Sequence, residues 1–412
     1  MNARKIIELN LEWFKQSGVM RPADGFWGVA ERVALLGGNE AAAKIKERFP
    51  VFTMVRPNVA VIEHRRADCT MQTAYLFDLA ADWFVSSSFR ETAENLIGYL
   101  VNRSGLRNCS KSDERCGLWG WAAPIRMDAY WTDDNSWVAT ILMLLANRKR
   151  PELRDLGLQT AKGLYCYVKP YLDNLSEKGL DTEIEEEEPR VAGIKLNPHW
   201  IGLVTMALAH ASKTDDTLPY AQLAEQYYAL VLGGPPAVDK MYRDVAQNGL
   251  KWSLSEYAYL ALTASICARQ FKSELIRNVA RTAANALVNN QQSDGHWAAQ
   301  HIESPAAANL SDLIYTDNWA ALGLYHAWLL FDHDSKYRQS LDRLFGFLAD
   351  IQDRDPDPVF RGCWRGMYDT NIGTWGGGDR YEGGANSIYT GWTNAPVALS
   401  FLLDASGETL FA

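Results

Sequence analysis

DNSWVATILMLLAN, Asp134 to Asn147, carries one charge, on its first residue, and is otherwise apolar apart from small polar side chains. A helix of that composition has to be enclosed by protein on every side. Five other stretches share the character, at about residues 68–84, 199–211, 254–269, 316–331 and 392–405. Between them lie amphipathic stretches with charges gathered on one face, at about 3–17, 88–103, 153–172, 219–232, 273–291 and 336–353. The two classes alternate strictly, and the enclosed class recurs at intervals of roughly 55–75 residues, the mark of a repeat architecture. Strand-like alternation is scarce. The pattern predicts an all-α chain, a toroid of six inner and six outer helices, with residues 1–412 forming a single barrel domain.

The turns that lead from outer to inner helices echo one another: DGFWG (Asp24–Gly28), GLWGW (Gly117–Trp121), DGHW (Asp294–Trp297) and RGCWRG (Arg361–Gly366). Glycine permits the tight turn, and the tryptophan is expected to plug the gap between hairpins.

In such a ring all inner helices run the same way, so their N-terminal ends gather at one mouth. The segments at those ends are polar and aromatic: HRRADC (His64–Cys69), YWTDDNSW (Tyr130–Trp137), NPHW (Asn197–Trp200), WSLSEY (Trp252–Tyr257), YTDNW (Tyr315–Trp319) and YTGWTN (Tyr389–Asn394). Asp134, then Asp133 and Asp317, are the candidate catalytic carboxylates. A single Asp at a helix start reads equally well as an N-cap, but a tandem pair leaves one carboxylate spare. Neighbouring acids can hold different protonation states, as general acid/base cleavage of an acetal requires.

Tyr130, Trp131, Trp137, Trp200, Trp252, Tyr257, Trp319 and Trp392 offer stacking faces at the same mouth, and Asn394 a hydrogen-bonding amide. His199 reads as a second acid/base or as a ligand to a hydroxyl, with a structural histidine as the alternative. His64, Arg65 and Arg66 would favour a carboxylate on the substrate. The glycine-rich TWGGGDRYEGGANSIYTGWTN (Thr374–Asn394) adds Trp375, Asp379, Arg380 and Glu382; no Lys-Ser/Thr follows its glycines, so it is not a phosphate loop. EIEEEEP (Glu183–Pro189) reads as a solvated connection.

Composition bounds these readings. Hydrophobic residues make up 47% and charged residues 22% of the 412, and no apolar run approaches the length of a membrane span. The formal charge of -9 opposes a polyanionic partner, so nucleic acid is not expected. Fifteen Trp outnumber fourteen Phe, which fits ligand stacking. The six cysteines show neither CxxC pairing nor histidines at metal-ligand spacing, so no metal and no cofactor is expected, and reduced, mostly buried thiols are the simpler reading. The first residues lack a basic-then-apolar export signal, which makes the cytoplasm the expected compartment of the chain as given, unless it was cut from a longer or secreted precursor.

Six helix pairs with DGxW turns and Asp at inner-helix starts resemble the six-hairpin glycosidase superfamily, the (α/α)6 barrels. Within it the chain looks most like the unsaturated glucuronyl and rhamnogalacturonyl hydrolases and the β-glucuronidase-type families. The resemblance implies a glycoside hydrolase on an oligosaccharide containing a uronic acid, with Asp134 or Asp133 as general acid/base and aromatic residues lining the sugar sites. Other activities share the fold. Terpene cyclases have a turn similar to QQSDGHW (Gln291–Trp297), but their DxDD motif is absent here. Sugar 2-epimerases need pocket histidines, for which His199, His64 and His326 are available. Polysaccharide lyases would use Tyr257, Tyr389 or His199 as base, and a sugar-binding protein would keep the aromatics without needing the acids.

Overall fold

The computed structural model describes residues 2–36, 47–180, 191–236, 249–300, 307–378 and 383–411. Asp379, Arg380, Glu382 and the acidic run Glu183–Pro189 lie outside them.

Each of the six enclosed stretches forms a helix whose side chains are buried nearly all round. These inner helices are α2 (Ala67–Phe84), α4 (Thr132–Arg148), α6 (Leu203–Ala211), α8 (Leu254–Phe271), α10 (Asp317–Leu330) and α12 (Ala395–Ser406). The amphipathic stretches form the outer helices, each burying one stripe: α1 (Ala3–Gln16), α3 (Ser87–Gly98), α5 (Arg154–Lys178), α7 (Tyr220–Val231), α9 (Glu274–Asn290) and α11 (Ser335–Ile351). Each inner helix packs against two inner neighbours, and α12 returns to α2, so the ring closes. The first outer helix belongs to the last hairpin: α1 packs on α12, and buried Asn10 donates to Gly362 O (3.0 Å) and Asn394 Oδ1 (2.9 Å).

The turn motifs work as latches. The indoles of Trp252, Trp297 and Trp364 are fully buried and donate to carbonyls of the preceding outer helix, Val231 (2.9 Å), Leu287 (2.8 Å) and Leu348 (2.8 Å). Gln291 and Gln352 tie their turns to the next outer helix, donating to Gly295 O and Ser340 O, and to Gly362 O and Ile6 O. Gly295 (φ +109°) and Gly362 (φ +91°) have no substitute here, because a Cβ would come within 2.4 Å of Arg343 O and 2.2 Å of Leu9 O. The DGFWG turn departs from the pattern. Trp27 is 52% exposed and plugs nothing.

The connections into the inner helices also carry short antiparallel strands that periodicity did not reveal. They are β1 (Arg32–Leu35), β2 (Phe52–Arg56), β3 (Val59–Ile62), β4 (Arg65–Arg66), β5 (Ala122–Ala123), β6 (Ala298–Ala299), β7 (Ala307–Asp312), β8 (Met367–Asp369), β9 (Thr374–Trp375) and β10 (Ser387–Tyr389). They pair in the orders β10-β1-β3-β2, β4-β5 and β6-β7-β8-β9. Because they precede inner helices, they stand around the mouth and fix which side chains face it.

Candidate active site

All six inner helices contribute to one cluster. From β4 and α2, Arg66 donates to Asp68 (3.1 and 3.2 Å), to Glu31 Oε1 (3.3 Å) and to Asp134 Oδ1 on α4 (2.5 Å). Ahead of α12, the Trp392 indole donates to Asp68 Oδ2 at 2.7 Å, and the Arg66 guanidinium lies over both the Trp392 and Trp121 rings. Ahead of α6, the His199 backbone N–H donates to Glu256 Oε2 of α8 (3.0 Å), and its Nδ1 pairs with Glu256 Oε1 (2.6 Å). Trp131 stacks on Trp200 with centroids 5.4 Å apart. Beneath these groups Trp319 of α10 stacks on Trp137, meets Trp392 edge-on and touches Tyr259, forming an aromatic floor.

Local geometry explains the placement. Successive strand residues face opposite ways, so Arg66 turns into the cluster while Arg65 turns out, donating to Trp27 O (2.7 Å) and Glu63 Oε2 (2.8 Å). The same alternation puts Trp131 on the Trp200 side and Tyr130 under the Arg115 guanidinium outside. On the first turn of α4, Asp133 and Asp134 point about 100° apart. Asp134 reaches Arg66, whereas buried Asp133 Oδ1 has no hydrogen-bond partner among the described residues. Two π-helical turns, Pro198–Gly202 and Thr390–Asn394, widen the entries to α6 and α12 and carry His199, Trp200 and Trp392 inward.

Electrostatics single out the tandem acids. Burial raises Asp133 to about 6, with Asp68 adding to the rise and Arg66 and His199 opposing it. Asp134 is raised well above the ordinary carboxylate range by burial and by Asp68 and Asp133, against the pull of Arg66. Burial thus biases both carboxyl groups toward their protonated forms. Burial works the same way on Glu31, but Arg32, Arg66 and His64 outweigh it and its pKa is lowered. His64 is buried with neither ring nitrogen bonded among the described residues, and its pKa falls through burial and through Arg32, Arg126 and Arg66.

Several expected site residues do other work. Asp317 is fully buried, accepting from Trp297 N–H (3.2 Å) and from the Ser311 hydroxyl, so its carboxylate is consumed inside the wall. Asn394 accepts from Asn10 and Trp364 N–H and donates to Trp364 O and Tyr389 O. Trp252 is a latch, as above, and buried Tyr257 sets its hydroxyl against the backbone of Lys251 and Trp252. Trp375 meets Tyr368, which packs on Phe347 of outer helix α11, on the outer side of the barrel. Arg66 faces the cluster but is already held by three carboxylates, and Arg65 does not face it.

Sequence reasoning passed over Glu31, Asp68, Glu256, Trp121 and Arg126. The signal for Glu31 was a Glu-Arg pair inside the apolar run Val29–Leu35, whose last four residues form strand β1. Asp68 and Glu256 stood within segments already recognised. Among the described residues no group of three or more potential ligands could hold a metal ion, and no helix is long and apolar enough to cross a membrane.

No family model and no curated relative matches the sequence. Solved structures do match its fold along nearly the whole chain. A D-mannose isomerase aligns with a TM-score of 0.62 at 11% identity, covering 98% of this chain and 97% of that one. An unsaturated glucuronyl hydrolase from Bacillus sp. GL1, responsible for the degradation of glycosaminoglycan, aligns at 0.59 with 13% identity and 99% of both chains covered. A cellobiose 2-epimerase from Spirochaeta thermophila aligns at 0.57 with 13% identity and 98% of both covered. The protein thus has the (α/α)6 toroid fold that these structures share. Its structural neighbours are carbohydrate-processing enzymes, epimerases and isomerases among them as well as hydrolases.

Proposed function

We propose that this protein is a glycoside hydrolase acting on an oligosaccharide that contains an acidic sugar, with Asp133 as its general acid/base. One observation carries the reading: Asp133, with its pKa pushed up to about 6, keeps a buried Oδ1 without a hydrogen bond among the described residues, near Arg66, His199 and Asp68. A carboxyl group so placed can hold a proton near neutral pH and deliver it to a glycosidic oxygen. Asp68, ion-paired with Arg66, adds to that rise and supplies negative charge against an oxocarbenium-like transition state. Trp131 and Trp200 offer stacking faces beside the acid. The preference for an acidic sugar rests on Arg126, an exposed residue whose guanidinium lies over Trp121 and which has no ion pair among the described residues.

A second reading, a sugar epimerase or isomerase, is favoured by the His199–Glu256 pair at the same mouth. His326 does not join it, being fully buried and donating from Nδ1 to Leu322 O while accepting from Leu410 N–H at Nε2. Incubation with a panel of uronide and neutral oligosaccharides separates the readings. New reducing ends without ultraviolet absorption support hydrolysis. An absorbing double bond in the products indicates elimination, an isomerised sugar the second reading, and binding without product a sugar-binding role.

A further inference from the structure

Cys69, Cys267 and Cys363 are buried, as the sequence suggested, but Cys109 and Cys166 are exposed and Cys116 is half-buried. Two of these accessible thiols sit in one short stretch, NCSKSDERCG, residues 108–117. Backbone bonds set their register. Arg107 pairs antiparallel with Trp119, Asn108 N–H donates to Leu118 O (2.9 Å), and Gly117 N–H donates to Asn108 O (2.8 Å). Asn108 thus faces both Gly117 and Leu118, a bulge to which Gly117 is suited by its φ of +92°. Carried one position further, that register sets Cys109 opposite Cys116. Between them two consecutive turns, Asp113 N–H on Ser110 O and Cys116 N–H on Asp113 O, both 3.0 Å, reverse the chain.

Facing residues that exchange no backbone bonds stand about 4.5 Å apart at Cα in an antiparallel pair. A disulfide spans Cα separations of about 4.4–6.8 Å. Both groups are thiols in this structure, and an Arg107 guanidinium nitrogen lies 3.7 Å from Cys109 Sγ. We infer that Cys109 and Cys116 are a redox-modification site, closing to an intrachain disulfide in the presence of a small-molecule disulfide and reopening on reduction.

The chemistry balances by two exchanges. The Cys109 thiolate attacks one sulfur of the oxidant, whose S–S bond breaks to release one thiolate. Cys116, its proton given to solvent, attacks the Cys109 sulfur of the mixed disulfide and expels the second thiolate. The protein gives up two protons and two electrons, and the oxidant leaves as two thiols. The bond would stiffen a support of the acid pair. Trp119 of the same hairpin donates its N–H to Asn135 Oδ1 (2.7 Å) and accepts from Asn135 Nδ2 (3.0 Å), and Arg115 covers Tyr130, so the loop props the segment that holds Asp133 and Asp134.

Incubating the full chain with oxidised glutathione, counting thiols with an aromatic disulfide reagent without denaturant, and mapping peptides under non-reducing conditions tests the site. The rapidly titrated thiols should fall from three (Cys109, Cys116 and Cys166) to one. The map should link Cys109 to Cys116, dithiothreitol should restore the count, and Cys116→Ser should leave glutathione trapped on Cys109. Glutathione remaining on Cys109 of the unmodified sequence, cross-links between chains, or an unchanged thiol count would each overturn the inference.

Discussion

Asn135 and Asp317 occupy the same station on two inner helices and make the same bond: Oδ1 of each accepts the backbone N–H of the tryptophan in its turn, Trp119 at 2.7 Å and Trp297 at 3.2 Å. Asn394 repeats it with Trp364 at 2.9 Å. Where the ring has Asn twice, the fifth inner helix has Asp. Burial drives that carboxyl up to about 7, opposed by His296, Ser311 and the Trp297 amide.

Asp317→Asn is therefore expected to stabilise the protein at alkaline pH. The folded-state pKa lies above the ordinary 3.8, so the native fold binds a proton that the unfolded chain releases. That contribution is complete below about pH 4 and is lost as pH rises through 7. Asn imitates the protonated form at every pH, and the Ser311 hydroxyl can accept from its amide. Urea unfolding at pH 8 should show a gain on the order of 2–4 kcal/mol, shrinking toward zero at pH 4. Enzymatic activity should survive, because this carboxylate lies within the wall.

Asp133 and Asp134 should separate by what they touch. Asp133→Asn removes the group with the unbonded oxygen and is expected to lower kcat by about 10²–10⁴-fold, with no loss of melting temperature at neutral pH. In the unmodified protein kcat/KM should fall as pH rises through about 6, as the proton on Asp133 is lost. The small residual activity of the variant should lack that limb. Full activity in Asp133→Asn would remove this residue from the mechanism.

Arg66→Met is expected to be mainly a stability lesion. The guanidinium is the cation shared by Glu31, Asp68 and Asp134, all buried, and its loss strands their charge. Breaking a buried pair from one side costs about 3–5 kcal/mol. Denaturant titration at pH 7 should show a loss of that size.

The helices were legible because enclosure and exposure leave opposite compositions, and their alternation is a property of the sequence alone. Which residue of a helix start faces the axis was not. Asp134 and Asp317 look alike in YWTDDNSW and YTDNW, yet Asp317 aligns by its bond with Asn135, one residue on. Glu31 escaped notice because the strand it precedes, β1, is too short to leave a period-2 pattern. Arg65 and Arg66 read as one basic cluster until β4 divided them between two faces.

Acid should loosen the opposite end of the barrel. His326 is fully buried there, donating from Nδ1 to Leu322 O (2.7 Å) and accepting at Nε2 from Leu410 N–H (2.8 Å), an arrangement open only to the neutral ring. Phe411 packs edge-on against it, the Tyr325 hydroxyl donates to Glu408 O, and nearby His210 is likewise held neutral. Burial depresses the His326 pKa from 6.5 to about 4. Its stability contribution is thus present above pH 6.5 and is lost as pH falls toward 4, by roughly 2–3 kcal/mol. His326→Gln cannot take up that proton. Its stability relative to the unmodified protein should be lower at pH 7 by about 1–2 kcal/mol, for the disturbed bonds, and should recover as pH falls. Hydrogen exchange at Leu410 locates the effect, with protection that declines in acid in the unmodified chain and responds less to pH in the variant. A Leu410 amide whose protection ignores pH in both proteins would show that the ring does not hold this segment.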